Sequence, residues 1–189
     1  MLSSMSTRRY TASEFLDLSD CKLFELVDGT LRARTGGALG SWVAVQLAVQ
    51  LGEFVRAESN GWLFDSLAEI NCFGEARDTV RRSSVVYVQH GRFPDNQLPN
   101  GSLEFPPDLV ADIVFPDDRY IEVLSKLAEY LAAGIRLIWV VNPADRSVTV
   151  YSQESDQPVV VRDGGELTGG DVLPRFRCAV SSLFPPARK

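Results

Sequence analysis

The alternation of apolar and polar residues divides the 189-residue chain into elements before any chemistry is considered. Thr11-Ala-Ser-Glu14 has the form of a capping box, and Phe15, Leu16 and Leu18 follow it, which predicts a short first helix. Phe24 to Gly29 (FELVDG) reads as a strand running into a tight turn. Asp28-Gly29 suits the positive φ of such a turn, and Leu31 to Thr35 makes the return strand. From Ser41 to about Glu58 the period becomes helical. Trp42, Val45 and Val49 share one face, with Phe54 a candidate fourth, and Asn60-Gly61 ends the segment. Trp62 to Phe73 alternates and is expected to be extended, 74–78 is a polar turn, and Thr79 to Val88 returns as a strand. Gly91 to Pro107, rich in proline, is expected to be loop.

The second half fixes the fold class. Leu109 to Phe115 (LVADIVF) is almost continuously apolar, the pattern of a central strand buried on both faces, and Pro116 ends it. Asp117 or Asp118 is a candidate cap for a helix running to about Ala133, with Gly134 as its stop. Leu137 to Val141 (LIWVV) is a second buried strand. Strand, helix and strand in so short a span form a right-handed βαβ crossover with parallel strands. Val148 to Tyr151 is expected as an antiparallel edge, with Val159 to Arg162 able to add another. The segment from Gly169 to Phe184 is expected to close over the sheet. The class is α/β, with a mixed sheet flanked by helices.

Composition adds limits. The length suits one domain over residues 1–189, with an ordered core from about 10 to 184. A net charge of −6 excludes a strongly basic nucleic-acid coat, so DNA contact would need a local patch. Three cysteines, far apart and in no CxxC pair, argue against a disulfide framework or zinc cluster and for a reducing compartment. The start, MLSSMSTRRY, lacks the apolar core of a leader, and no stretch is read as a membrane span. A cytoplasmic protein is expected.

Asp112 is the most unusual residue, a carboxylate inside an apolar strand, where burial without a partner costs several kcal/mol. It lies near the carboxyl end of the strand, where open α/β sheets place ligands. Its plainer readings are a solvated edge or a pairing with an arginine. Lys126 falls on the crossover helix. It either pairs with Glu122 at i, i+4 or points back toward Asp112, where a carboxylate and an ammonium could serve a hard cation and a phosphate. Of the adjacent Arg81 and Arg82, at most one can face a given site; one is a candidate phosphate contact, against the plainer reading of solvated edge charges. His90 has no partner histidine or cysteine cluster, and Trp42, Trp62 and Trp139 read as core.

These residues together resemble the Uma2 family of restriction endonuclease-like proteins, within the PD-(D/E)XK nuclease superfamily. The resemblance runs from Tyr10 to Phe184 through Phe24-Glu-Leu-Val-Asp-Gly29, Pro107-Asp-Leu-Val-Ala-Asp112, Lys126-Leu-Ala-Glu-Tyr130 with Gly134, Trp139-Val-Val-Asn-Pro143, and Gly170-Asp-Val-Leu-Pro174. It implies a restriction-endonuclease-like core that holds magnesium between carboxylates and hydrolyses DNA, with Asp112 as metal ligand, Lys126 as the lysine that orients water, and Glu25 assisting. It also suggests a homodimer. The departures are specific. The family's Arg-x-Pro-Asp-Val segment reads Arg81-Arg-Ser-Ser-Val85, so its metal-binding aspartate is Ser84. The strand glutamate is the shorter Asp112, a following serine is Phe115, and the histidine expected around Gly40-Ser41 is absent. A hydroxyl cannot replace a carboxylate's charge against a divalent ion. Two classes of function remain: a divergent magnesium-dependent endonuclease that recruits a substitute acid such as Glu69 or Asp78, or a nuclease fold without a cofactor that serves as a binding or assembly module.

Overall fold

The computed structural model describes residues 8–74 and 77–186. The middle of the turn expected at 74–78 and most of the segment read for a leader lie outside them. The capping box forms as expected: the Thr11 hydroxyl accepts from the Glu14 amide, and the Glu14 carboxylate accepts from the Thr11 amide, starting α1 (Ala12–Leu16). Strands β1 (Phe24–Val27) and β2 (Thr30–Ala33) form the hairpin, with Asp28 at φ 44° and Gly29 at φ 75° in the turn. This hairpin does not join the main sheet. It docks through a backbone exchange in which the Leu26 and Val80 amides each donate to the other's carbonyl at 2.9 Å.

The main sheet comprises β3 (Gly61–Asp65), β4 (Val85–Gln89), β5 (Leu109–Ile113), β6 (Leu137–Asn142), β7 (Ser147–Ser152) and β8 (Ser155–Arg162), neighbours in that order. Only β5 and β6 are parallel, joined by α3 (Tyr120–Ala132); the other pairs are antiparallel. Gly134, at φ 87°, stops α3 as expected. The edge on that side is β8 rather than β7. The expected strand from Trp62 shortens to Gly61–Asp65, and that from Thr79 to Val85–Gln89, with only isolated bridges at Ile70, Val80 and Arg81 between them. Neither Asp117 nor Asp118 caps α3. Its first flanking residue is Arg119, and Asp118 instead accepts from the Phe115 amide at 2.8 Å and the Thr35 hydroxyl at 2.6 Å.

Alternation along the strands builds two cores. Tyr87, Ala111, Trp139 and Val148 face one side, covered by α2 (Ala38–Glu58) and by a separate hairpin of β9 (Glu166–Gly169) and β10 (Leu173–Ala179). Val86, Val110 and Ile138 face the other, covered by α3 and by Ile70, Phe73, Phe93, Leu103 and Phe105 from the irregular segments on either side of β4. Trp42, Val45 and Val49 do share a face, but Phe54 packs on Phe176 instead, and the face they share is not the buried one of α2. Its buried residues are Val43, Leu47, Leu51 and Val55, whereas Trp42, Val45 and Val49 are 39%, 55% and 45% exposed. Trp139 is fully buried and Trp62 half-buried, so one of the three tryptophans read as core lies outside it. By length and composition α2 could also cross a membrane, so the expectation of no such stretch was too strict.

Candidate active site

The side of the sheet under α3 carries the unusual charges. Val85 pairs with Ala111 in antiparallel register, and continuing one residue sets Ser84 across from Asp112, both on this side. The Ser84 amide donates to Asp112 Oδ1 at 3.3 Å, and the Ser84 hydroxyl accepts from the Ile113 amide at 3.2 Å. From above, α3 extends Lys126 over the sheet. Its ammonium lies 3.0 Å from Asp112 Oδ2 and 2.9 Å from Glu25 Oε1, and it donates to the Arg82 carbonyl at 2.6 Å. An ammonium has three protons to donate, and three acceptors surround this one. The expected alternative, a Glu122–Lys126 pair, is not formed; neither is the Asp112–arginine pair.

Glu25 reaches this point because the β1–β2 hairpin docks on the chain just before β4. Its Oε1 also accepts from the Arg82 amide at 3.0 Å, and its Oε2 from Arg81 Nη1 at 2.9 Å. Arg81 forks onto Glu129 of α3 through Nε and Nη2, at 2.7 and 2.9 Å. Arg82 turns the other way, to Glu69 at 2.6 Å and the Leu67 carbonyl. The two arginines do diverge as alternation requires, but they are only 6% and 2% exposed, so they are not solvated edge charges. Arg81 gives all three of its guanidinium nitrogens to Glu25 and Glu129, and Arg82 gives both Nη to Leu67 and Glu69 while its Nε lies buried without a partner. Glu69 is spent on Arg82, and Asp78 Oδ1 accepts from the Ala12 amide beneath α1; neither lines the cavity as a substitute acid.

The electrostatics follow from burial opposed by pairing. Burial would raise the Glu25 carboxyl, but Lys126 and Arg81 outweigh it and hold it at about 2. Burial would lower Lys126, yet Asp112 and Glu25 reverse the shift and raise it, so it stays an ammonium and cannot act as a base. Burial, then Asp112 and Glu25, push Tyr130 well above its ordinary value; its hydroxyl donates to the Arg82 carbonyl at 3.4 Å. Sequence reasoning missed Glu129 and Tyr130. Their signal was helical spacing, three and four residues beyond Lys126.

A cavity of about 230 Å³ opens above Ser84, Asp112 and Lys126, walled by Val123, Val140 and Phe115. Phe115 also packs against the first turn of α2. A Cβ on Gly40 would lie 2.3 Å from Phe115 Cε1, so the ring occupies space that a residue with a side chain at position 40 would need. The donor set does not fit the magnesium ion the family implies. Ser84 brings only a neutral hydroxyl beside Asp112, and the Lys126 ammonium already occupies the point where Asp112 and Glu25 converge. Among the described residues, no group of three or more His, Cys, Asp or Glu side chains could hold a metal.

Comparison with known proteins bears on lineage. A crystal structure of a putative nuclease belonging to DUF820 from Anabaena variabilis superposes with a TM-score of 0.78 at 18% identity, over 93% of this chain and 97% of that one. At that identity the likeness shows the fold, a restriction-endonuclease-like α/β core with a mixed sheet flanked by helices. No curated protein matches the sequence. Residues 12–181 match the family described as "Putative restriction endonuclease", and the chain therefore belongs to the Uma2 family.

Proposed function

We propose that this member of a nuclease-fold family has lost most or all metal-dependent DNA hydrolysis and works in the cytoplasm as a binding or assembly module. The observation that carries this reading is the Lys126 ammonium, seated between Glu25 and Asp112 where a bound cation would have to share their charge. Ser84 opposite Asp112 supports it, because a neutral oxygen returns little of the free energy magnesium loses on dehydration. Fold and descent favour DNA as the ligand but do not fix the activity.

A second reading has one observation in its favour. Two carboxylates do approach one point from different elements, and a site with one or two carboxylates can take magnesium when substrate phosphate supplies further oxygens. On that reading Asp112 and Glu25 are ligands and Lys126 is the catalytic lysine.

Calorimetry with magnesium and manganese, alone and with duplex DNA, separates the two. The expected result is no binding of either ion at micromolar concentration and no nicking of supercoiled plasmid. Micromolar binding that vanishes in Asp112→Ala, or metal-dependent nicking lost in Lys126→Ala, would restore the enzyme. Ser84→Asp is expected to gain metal affinity, since it adds a carboxylate beside Asp112.

A further inference from the structure

The longest helix leaves one side of itself uncovered. On the face of α2 opposite its buried residues, Ala38, Trp42, Val45, Val49, Gly52 and Arg56 succeed one another at alternating steps of four and three. That is the spacing of a coiled-coil seam, narrower than the stripe of a helix lying on a sheet. No charge interrupts the chain from Ala38 to Gly52. Leu39, beside the seam, is 47% exposed.

We infer that α2 pairs with α2 of a second copy of this chain, antiparallel, about a two-fold axis at the level of Leu47. The seam's own order selects that partner and that direction. Antiparallel pairing about this level sets Val45 against the other copy's Val49, and Trp42 against its Gly52. A Cβ on Gly52 would meet only Leu63 Cδ1 at 3.8 Å, so the glycine is an open notch able to receive an indole. The same register brings Glu53 beside the first turn of the facing helix. That turn has no acidic residue, and its N-cap, Gly37, offers no side-chain hydrogen bond, so its free amides favour a negative charge. Parallel pairing would instead stack Trp42 on Trp42, leave Gly52 facing Gly52, and oppose the two Arg56 side chains. An interface that is complementary to itself only in one orientation is what a closed two-fold dimer requires. A membrane surface is a poorer occupant, since Arg56 is the one basic residue of the helix and Glu53 and Glu58 accompany it. This inference does not depend on the nuclease reading, because α2 and the ion pairs lie on opposite sides of the sheet.

Sedimentation velocity on the full chain over a micromolar concentration series tests the pairing. The wild type is expected to pass from monomer to dimer, and Val49→Glu to remain monomeric with unchanged circular dichroism, because position 49 is already exposed. Gly52→Leu, which fills the notch, is expected to weaken the dimer at least tenfold. The double variant Val45→Glu/Val49→Lys would regain the dimer, since each glutamate then faces a lysine only in the antiparallel register. A wild type that stays monomeric throughout, or one that is monomeric in solution and floats with anionic vesicles, would overturn the inference. So would a Val49→Glu dimer as strong as the wild type's.

Discussion

The two sides of the central sheet use the same alternating strands to opposite ends. Along β5, Leu109, Ala111 and Ile113 enter a dry core under α2, where Leu47, Leu51 and Trp139 are fully buried and no charge intrudes. One residue out of phase, Asp112 enters a layer where three carboxylates and two cations are withdrawn from water together. The dry side draws stability from apolar area and tight packing. The ionic side gains little net free energy, because desolvation offsets attraction, but it punishes the loss of any one member. Truncation on the dry side thus costs the apolar contacts it removes, whereas on the ionic side it also strands the opposite charge.

The largest expected effect is on the ionic side. Arg81→Met leaves Glu25 and Glu129 without their shared guanidinium and should cost about 3–5 kcal/mol by chemical denaturation. Adding Glu129→Leu should return part of that loss, since one stranded charge is removed; an additive double variant would break the contrast. On the dry side, Leu47→Ala should cost about 2–5 kcal/mol with no such rescue.

Acid should act on one side only. The Glu25 carboxyl titrates at about 2 when folded against an ordinary 4.5, so folding favours its ionised form. Its contribution is complete above 4.5 and disappears as pH falls toward 2. Urea melts across that window should show stability declining with acid, and Glu25→Gln should flatten this part of the profile. An unchanged slope would mean other carboxylates govern it. The smallest effect is that of Ser83→Ala, which removes the hydrogen bond to the Ala111 carbonyl and should cost about 1 kcal/mol in the same assay.

Local signals were read well because their causes lie within a few residues. The capping box at Thr11, the turn at Asp28-Gly29, the stop at Gly134 and the two buried strands around α3 each depend on neighbours in sequence. Trp42 was misread as core for an equally physical reason: both faces of α2 are apolar, so hydrophobic contrast cannot tell the inner from the outer. Arg81 was misread because its partners are remote, Glu25 at a separation of 56 residues and Glu129 at 48. Lys126 and Asp112 were singled out from residue type and position, and their meeting required the helix to return across the sheet.

By itself, then, the sequence determined the α/β class and the parallel crossover, and it singled out Asp112 and Lys126. Tertiary structure alone decided that Lys126 bridges two carboxylates, that both arginines are internal, and that α2 turns Trp42 outward. The division has a physical basis: backbone geometry and hydrophobic period are set over one or two turns of chain, whereas charge pairing and burial depend on which distant segments the packed sheet brings within a few ångströms.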